Sequence, residues 1–589
     1  MLFRRLVIIG AMLAPSCLFA SDNEPADVIV VTATRSAMSL TDTIVPVTVI
    51  GRDRIEQSLA TDLAELLRFE AGLDLGRNGG PGQATSIFMR GTESNHTLIL
   101  VDGVRINPGT IGGAAIQHID PEVIERVEIV RGSRSSLYGT DAIGGVINVI
   151  TRRATADYLE VGGGGGSYGT QTGYLSGGMK GANGEFGLTV NWQETDGYEI
   201  SPASEIERGY ENLSANIYGS RSLGIGDVTL RHWRANGTVE YLDFFLSPLD
   251  QDYVNSSTAL ELDSAIGDRS RSKLILSYIV DEIDQNQGDD FVRSERATLD
   301  WQYSHAVGEH ALAAGVYLSD EDASTFSFGS GFDEGTSARA VFAQDYFAHG
   351  PHRAFFAGRY TDYDSFGGEF TWNAEYAYDI GENWTVSAGL GHAFRAPDAT
   401  DRYGFGGNSE LRPEVADELQ LGTEFRIGLR QSVRLELYGH DIDDLIEFDL
   451  ADFTLRNIGR AEIRGAQLGY EFTGETFSLR ADLLKQSADN ASDGQRLPRR
   501  PEESLTINYL QNLGPHRFGI SVLASGDRDE FGVKLPGYVL ANLTGQLAFG
   551  SNWQVNLRLE NIFDREYETA ANFRMQGRSA YAELKYRWQ

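Results

Sequence analysis

The feature that most constrains this chain is a two-residue alternation of apolar and polar side chains in its long C-terminal part. It is clearest in Val433–Leu437, in Val555–Glu560 and in the final segment Ala582–Trp588. Because successive side chains of a β-strand point to opposite faces, each of these segments presents one apolar and one polar face. Repetition of the pattern over hundreds of residues favours strands with lipid on one side and a wet interior on the other.

The lack of long apolar runs restricts how this chain could span a membrane. After the N-terminal leader, no run of 18 apolar residues occurs, so the chain offers no segment typical of a membrane-spanning helix. Strands can cross a bilayer only when every backbone group is paired, which requires that the sheet close on itself. If the protein lies in a membrane, its C-terminal part must therefore be an all-β transmembrane barrel. A strand of a soluble sandwich would show the same alternation in any single segment.

Composition excludes several classes of function. The formal net charge is −34, from 50 basic and 84 acidic residues, whereas a nucleic-acid partner needs a basic face. The only cysteine is Cys17, which lies in the leader, so a disulfide framework or a cysteine-based metal site is excluded. Abundant glycine, 67 residues, with only 15 prolines fits many strands joined by turns.

The N-terminus carries two signals. Residues 1–20 place Arg4 and Arg5 before an apolar run that ends in small residues near Ala20, which predicts a cleaved secretory signal peptide. A β-branched segment follows in residues 27–34. Such a segment can add as a strand to the edge of a partner's sheet, or it can form the first strand of the next domain.

The stretch Ser86–Thr151 predicts a small separate domain. Its β-rich cores are Thr97–Val101, Val127–Val130 and Val146–Ile150. Charged residues between them, such as Arg90, are too numerous for a dry interior. A small domain with a polar exterior inside a wet enclosure explains both observations.

Two further elements are expected before that stretch. Alternating valines predict a strand over Thr41–Gly51. Thr61 is the expected N-cap of a short helix whose apolar face carries Leu63, Leu66 and Leu67.

The motifs of this stretch resemble those of a known family. They read RGT at residues 90–92, ILVDGVRIN at 99–107, IERVEIVRG at 124–132 and SLYGTDAIGGVINVIT at 136–151. This series resembles the plug domain of TonB-dependent outer-membrane receptors, and among them it is most similar to the members that transport cobalamin. FRAP at residues 394–397 and ENIFDREY at 560–567 resemble barrel motifs of the same family.

The resemblance implies a domain order and a location. It implies a signal peptide at 1–20, a periplasmic segment at 21–35, a mixed α/β plug at 36–153, and a barrel of about 22 antiparallel strands at 154–589 that encloses the plug. The location is the bacterial outer membrane, in contact with its lipids, with the protein expected as a monomer. The segment at 27–34 is similar to the TonB box, the docking strand for the energy-coupling protein TonB. Its residues are Asp27, Val28, Ile29, Val30, Val31, Thr32, Ala33 and Thr34.

The resemblance also implies a ligand site at the outer apex of the plug. The corresponding contact residues are Ala84, Ser86, Glu93, Ile111 and Gly112. Two of them depart from the family pattern, since Glu93 replaces a neutral amide and Gly112 replaces a hydroxyl-bearing residue. The alternative is that these are plain plug loops that touch no ligand.

No cofactor is required by this scheme, but two outer loops suggest a structural calcium ion. Cobalamin transporters bind calcium through aspartates in the corresponding loops, and carboxylates are usual calcium ligands. The candidate residues are Glu205, Glu207, Tyr241, Asp243, Asp250 and Asp252. The alternative is that these acidic loops are simply solvated.

The function implied is TonB-dependent uptake of a scarce, bulky nutrient, with cobalamin as the leading candidate. A ferric-siderophore receptor of the same architecture is the alternative within the class. A passive porin does not need a plug or a docking strand. An enzyme is disfavoured because the sequence has no HExxH motif and no evident Ser/His/Asp grouping.

Overall fold

The computed structural model describes residues 30–31, 35, 38–243, 245–327, 329–449, 453–457, 459–530 and 532–588. Within these ranges the chain forms a closed barrel of 22 antiparallel strands, and the N-terminal domain lies inside it. The predicted fold class is confirmed. The predicted signal peptide at residues 1–20 lies outside the described residues.

The plug is built on a five-stranded mixed sheet, whose strands in spatial order are β3 (Val47–Gly51), β8 (Ile124–Arg131), β9 (Gly145–Thr151), β6 (Thr97–Val101) and β7 (Val104–Arg105). Strands β6 and β9 run parallel and the other neighbours are antiparallel. The three β-rich cores predicted from the sequence fall in β6, β8 and β9. The plug strands are β1 (Val30–Val31), β2 (Met38–Ser39), β3 (Val47–Gly51), β4 (Leu73–Arg77), β5 (Thr85–Met89), β6 (Thr97–Val101), β7 (Val104–Arg105), β8 (Ile124–Arg131) and β9 (Gly145–Thr151).

Short helices connect these strands. The α-helices are α1 (Arg52–Ser58), α2 (Leu63–Leu67) and α3 (Ser135–Tyr138), and single 3-10 turns occur at Leu40–Asp42, Ser94–His96, Ile116–His118 and Pro121–Val123.

Two local predictions need correction. The strand expected over Thr41–Gly51 begins only at Val47, because a 3-10 turn and Pro46, which has no N–H to donate, precede it. The N-cap of α2 is Asp62, whose Oδ1 accepts a hydrogen bond from the Glu65 N–H at 2.8 Å, and not Thr61. The apolar face of α2 is buried as expected.

The barrel strands follow in chain order, and the first, β10 (Tyr158–Gly166), pairs with the last, β37 (Ser579–Trp588), to close the sheet. The barrel consists of β10 (Tyr158–Gly166), β11 (Gln171–Gly181), β12 (Gly184–Glu199), β13 (Glu207–Leu223), β14 (Gly226–Leu242), β15 (Pro248–Ile266), β16 (Ser270–Gln285), β17 (Phe291–Val307), β18 (His310–Ser327), β19 (Ser330–His349), β20 (His352–Tyr363), β21 (Gly367–Ile380), β22 (Trp384–Arg395), β23 (Glu414–Ile427), β24 (Gln431–Asp443), β27 (Arg460–Thr473), β28 (Phe477–Asn490), β29 (Glu503–Leu513), β30 (His516–Ser525), β33 (Tyr538–Phe549), β34 (Trp553–Glu560) and β37 (Ser579–Trp588).

Small hairpins and one helix occupy the long connections. They are β25 (Ile446–Asp449) with β26 (Thr454–Asn457), β31 (Arg528–Glu530) with β32 (Val533–Leu535), β35 (Glu568–Ala570) with β36 (Phe573–Arg574), and α4 (Ala399–Tyr403). None of the helices in the described ranges has the length and hydropathy needed to cross a membrane.

The alternation read from the sequence corresponds to the two faces of the barrel wall. In β24 the side chains of Leu435 and Leu437 are exposed, whereas Glu436 between them is buried against the plug. In β37, Leu584 is exposed and Lys585 is buried. Short turns join the strands at one end and long connections, such as residues 396–413, at the other, so the short turns mark the periplasmic end.

Candidate functional site

The outer end of the plug carries the five predicted ligand contacts, with Ser86 near the start of β5 and the other four on loops. Ala84 and Ile111 are exposed, and Ser86 and Glu93 are partly exposed. Gly112 is buried. The structure therefore places two of these residues where a ligand can touch them directly.

Glu93 is already engaged in contacts within the protein. Its carboxylate forms an ion pair with Arg500 of the outer barrel loop, and it caps the 3-10 turn at Ser94–His96. Arg500 also donates from Nε to the Gly91 carbonyl oxygen at 2.8 Å and lies 4.6 Å from the Phe88 ring centroid. A ligand that used Glu93 would have to compete with Arg500.

Gly112 occupies a position that only glycine fits well. Its φ is +66°, and a Cβ there would lie 3.1 Å from the Asn95 Cβ and 3.2 Å from the Asp398 Oδ2. The Asn107 side-chain amide holds this loop by donating to the Gly112 carbonyl oxygen at 2.8 Å. The absent side chain thus allows a barrel loop to approach the plug closely.

That barrel loop, residues 395–414, is here called the apical latch, and it folds over the plug apex. The N–H groups of Ala399 and Thr400 donate to the carbonyl oxygens of Gly109 and Thr110 at 2.9 and 3.0 Å. Arg395 at its base is buried and forms ion pairs with Asp398 at 3.2 Å, with Glu414 at 3.3 Å and with Asp401.

The latch is tied to the plug by a second buried contact. The His96 Nε2 lies 2.5 Å from the Glu414 Oε2, and both side chains are buried. Sequence analysis found the FRAP motif at the start of this loop but gave it no role. The dense charges at Arg395, Asp398 and Asp401 were the available signal.

Exposed aromatic side chains provide the apolar part of the outer mouth. Phe405 in the latch and Phe448 and Phe453 around the β25–β26 turn are all exposed. The backbone of the two loops is joined, because the Leu455 N–H donates to the Gly406 carbonyl oxygen at 2.7 Å. Together with Ile111, these rings can bind a bulky ligand that has apolar faces. Sequence analysis did not identify them.

Ion pairs between buried side chains hold the plug to the barrel wall. Arg90 pairs with Glu436 and lies 4.6 Å from the Tyr438 ring centroid. Arg134 pairs with Glu375 at 2.7 Å. The charges that the sequence placed on the plug therefore lie at the interface with the lumen, as expected.

The docking segment is described only in part. Val30 and Val31 pair with Ser39 and Met38 in a two-residue antiparallel ladder, and the rest of residues 27–34 lies outside the described residues. The next described residue, Arg35, pairs with Asp300 of β17 at 2.8 Å. Its guanidinium also lies between the rings of Tyr138 and Phe342, 4.7 and 4.5 Å from their centroids.

The predicted calcium ligands do not converge. In β15, Asp250 and Asp252 share the side of the exposed Leu260 on the outer surface of the wall, and the Asn286 side chain donates to both of them. Asp243 accepts from the N–H groups of Phe245 and Ser247 in its own turn.

The remaining candidates lie elsewhere. The Tyr241 hydroxyl accepts from Gln285 at 2.8 Å, and Glu205 and Glu207 are exposed. Among the described residues, no three His, Cys, Asp or Glu side chains are grouped so that they could hold a metal ion. These six residues do not fit a calcium ion as arranged, and the calcium site stays a prediction.

Comparisons with known proteins agree with this architecture. The family model "TonB dependent receptor-like, beta-barrel" matches residues 134–562, and the model "TonB-dependent Receptor Plug Domain" matches residues 39–146. The chain is 29% identical to the vitamin B12 transporter BtuB of Photobacterium profundum, over 99% of each chain. It is 28% identical to that of Vibrio vulnificus, also over 99% of each.

Solved structures share the fold at lower identity. The siderophore receptor PirA from Acinetobacter baumannii is 17% identical with a TM-score of 0.81, over 95% of this chain and 100% of that one. A mutant of the ferric enterobactin receptor PfeA from Pseudomonas aeruginosa is 16% identical with a TM-score of 0.82, over the same shares. At these identities the likeness concerns the fold alone.

Proposed function

This chain belongs to the TonB-dependent receptor family, whose members transport ligands across the outer membrane and are not enzymes, and we propose that its own ligand is cobalamin. The observation that carries this proposal is the full-length match to vitamin B12 transporters at 28–29% identity. The structural neighbours named for siderophores are only 16–17% identical and support the fold without favouring their ligands.

The mouth of the barrel is compatible with a bulky ligand of mixed polarity. In this proposal the exposed Ala84 and Ile111 contact the ligand directly, together with Ser86. Gly112 contributes by having no side chain, so that its loop can pack closely against Asn95 and Asp398. Glu93 contributes once Arg500 is displaced from its carboxylate.

Energy for transport comes from the inner membrane, in this proposal through residues 27–34. This segment adds as a strand to TonB, which pulls on the plug from the periplasm. Two pairs join Val30 and Val31 to β2 among the described residues, and a contact of this size supports the idea because it is easily exchanged for a longer strand pairing. Residues 1–20 are the leader that directs export and is then removed.

The presence of the plug inside the barrel argues against a passive open pore. Buried ion pairs such as Arg134–Glu375 join it to the wall on the inside of the lumen. A ligand can pass only after some of these contacts break. Transport requires no covalent step, because opening a path for the ligand rearranges only noncovalent contacts within the protein.

Side-by-side binding measurements test the choice of ligand. Purified full-length receptor is titrated with cyanocobalamin and with a ferric siderophore, and growth of a cobalamin-dependent host that lacks its own receptor is measured with and without this chain. We expect saturable binding of cyanocobalamin and restored growth. Binding of the ferric siderophore alone, without growth rescue, would assign the chain to the iron-chelate receptors instead.

A further inference from the structure

The plug is not seated evenly in the barrel. Its apolar core is continuous with a patch on the inner wall of strands β13 to β16, which we call the apolar seat. The seat consists of Tyr210, Trp233, Ala235, Val239, Tyr253, Ala259 and Ile279, all buried. In the other apolar clusters that the described plug and wall share, the plug contributes few residues: Ile143 against strands β22 to β28, Leu137 with Ile44 against β20 and β21, and Phe69 against β30 and β33.

An aromatic stack strengthens the apolar seat. The ring of His118 in the plug lies over Tyr253, with 3.6 Å between centroids and 12° between planes. Its Nδ1 lies 3.0 Å from the Tyr210 hydroxyl. Burial lowers the pKa of His118 to about 3, so this contact is uncharged at neutral pH.

The other side of the plug faces a cavity of about 930 Å³. The plug lines it with Ile44–Ile50, Arg54, Phe69 and Glu70, and the wall lines it from β19 to β34. Most of the wall side chains there are charged or hydroxyl-bearing, such as Arg434, Glu471 and Arg480. We call this space the polar cavity.

Between the polar cavity and the outer mouth the plug contributes one buried residue, Ile143, to an apolar cluster of the wall, and its other described ties to this part of the wall include ion pairs and hydrogen bonds. In β24 the cavity reaches Glu436, which pairs with Arg90 of the plug. In β28 it reaches Arg480, and Gln486 lies about 20 Å further toward the mouth at about 3.3 Å per residue. There the Gln486 Nε2 donates to the Asp74 Oδ2 at 3.2 Å. Beyond it, Arg500 binds Gly91 and Glu93.

These two sides respond differently to a pull on the plug. Separating the apolar seat exposes apolar surface to water, and no new contact compensates for that loss. Ion pairs and amide hydrogen bonds beside a cavity with polar walls can exchange their partners for water at a small net cost. The polar side therefore opens first.

We infer that the transported ligand passes between the plug and strands β23 to β28, through the polar cavity, while the plug stays attached to the apolar seat. The contacts of Asp74, Arg90 and Gly91 with the wall form the gate on this route. The inference deepens the proposed function and rests on it for the nature of the cargo, but the position of the route depends on the plug and wall contacts alone.

A matched pair of tethers tests the route. Asp74 with Gln486, and Asp120 with Asn191 of β12, are both plug carboxylates that accept from a wall amide, and all four side chains are buried. Each pair is replaced by cysteines, D74C/Q486C and D120C/N191C, and bridged with a short, reducible bifunctional thiol reagent. The one native cysteine, Cys17, lies in the predicted leader.

Uptake of radiolabelled cyanocobalamin by energised cells is the readout. We expect the 74–486 bridge to reduce uptake at least tenfold, with recovery after reduction, and the 120–191 bridge to leave uptake within about twofold of its unbridged form. Equal loss in both bridged variants would mean that the whole plug moves and would overturn the inference. Failure of the parent and unbridged proteins to take up cyanocobalamin would count against the proposed function instead.

A ligand-free measurement decides the route in that case too. Single variants D74C and D120C in purified receptor are exposed to rising urea and a charged thiol reagent. We expect D74C to react at a lower urea concentration than D120C. Reaction of D120C first, or of both together, would contradict an attached apolar seat.

Discussion

Arg35 and Asp300 form an ion pair, with 2.8 Å between Nη1 and Oδ2, directly after the predicted docking segment. Because the same guanidinium also lies between Tyr138 of the plug and Phe342 of the wall, this residue links the N-terminus, the plug and the barrel. A pull on residues 27–34 reaches this contact before it reaches the plug sheet.

Loss of the Asp300 charge should release the N-terminal segment. In D300N, Arg35 keeps its aromatic neighbours but loses its carboxylate, and removal of one partner of a buried pair costs about 3–5 kcal/mol. We expect a spin label at Val30 to become markedly more mobile. D345N is the matched control, since Asp345 pairs with His310 away from the plug. Unchanged spectra in D300N would show that Arg35 does not restrain the segment.

Removal of one partner of the Arg90–Glu436 pair should destabilise the closed state more than replacement of both partners by apolar residues. E436Q leaves Arg90 buried without a carboxylate and should destabilise the plug by about 3–5 kcal/mol, whereas the apolar double variant R90M/E436L should be nearly neutral. Hydrogen exchange in the plug strands measures both. Equal losses in the two variants would contradict this reasoning.

A substitution at Gly112 tests whether ligand binding requires close packing of its loop against Asn95 and Asp398. G112A places a Cβ against Asn95 and Asp398 at a φ of +66°, which costs about 1–2 kcal/mol for a left-handed residue. We expect the affinity for cyanocobalamin to fall roughly tenfold, with the barrel intact by circular dichroism. G113A is the control, because the nearest atoms to a Cβ there are 4.0 Å away. A similar loss in G113A would remove the special role of Gly112.

The stability of the plug should depend on pH through Asp120. Burial, and then the neighbouring Glu122, raise the pKa of Asp120 from 3.8 to about 7. The folded state therefore holds this proton more tightly than the unfolded chain, so its stabilising contribution is present below pH 4 and is lost as the pH rises toward 7.

A factor of ten in proton affinity is about 1.4 kcal/mol, so the loss is at most roughly 4 kcal/mol. Urea-induced exposure of the plug, followed between pH 4 and 8, should show this slope in the parent protein and a flatter one in D120N. An identical slope in D120N would assign the pH dependence to other groups.

The sequence could predict the features that depend on residues close together in the chain. The alternation around Glu436 and Lys585 depends only on neighbours along one strand, so both faces of the wall could be predicted. The plug strands β6, β8 and β9 could be predicted for the same reason, because each is marked by a continuous β-rich segment. The run of five glycines at Gly162–Gly166 is likewise local, and it allows close approach of the neighbouring strand, because a Cβ at Gly164 would lie 2.5 Å from the Ala582 carbonyl oxygen.

Features that depend on which distant segments meet could not be predicted. Arg35 contacts Asp300 and Phe342, which are far from it in the chain. His96 of the plug and Glu414 of the apical latch are also far apart in the chain and meet only in the fold. The candidate metal ligands were assigned to outer loops, but β15 begins at Pro248, so Asp250 and Asp252 lie on a strand. Strand length there was not encoded in a local pattern.

The most direct test of the central claim is the accumulation of radiolabelled cyanocobalamin in energised cells, compared between the intact receptor and a variant lacking residues 27–34. Both proteins should reach the outer membrane and bind the ligand equally well. Accumulation should occur only with the intact receptor and should collapse when the proton gradient is dissipated. Undiminished accumulation by the deletion variant would contradict the claim that a pull from the periplasm opens the plug.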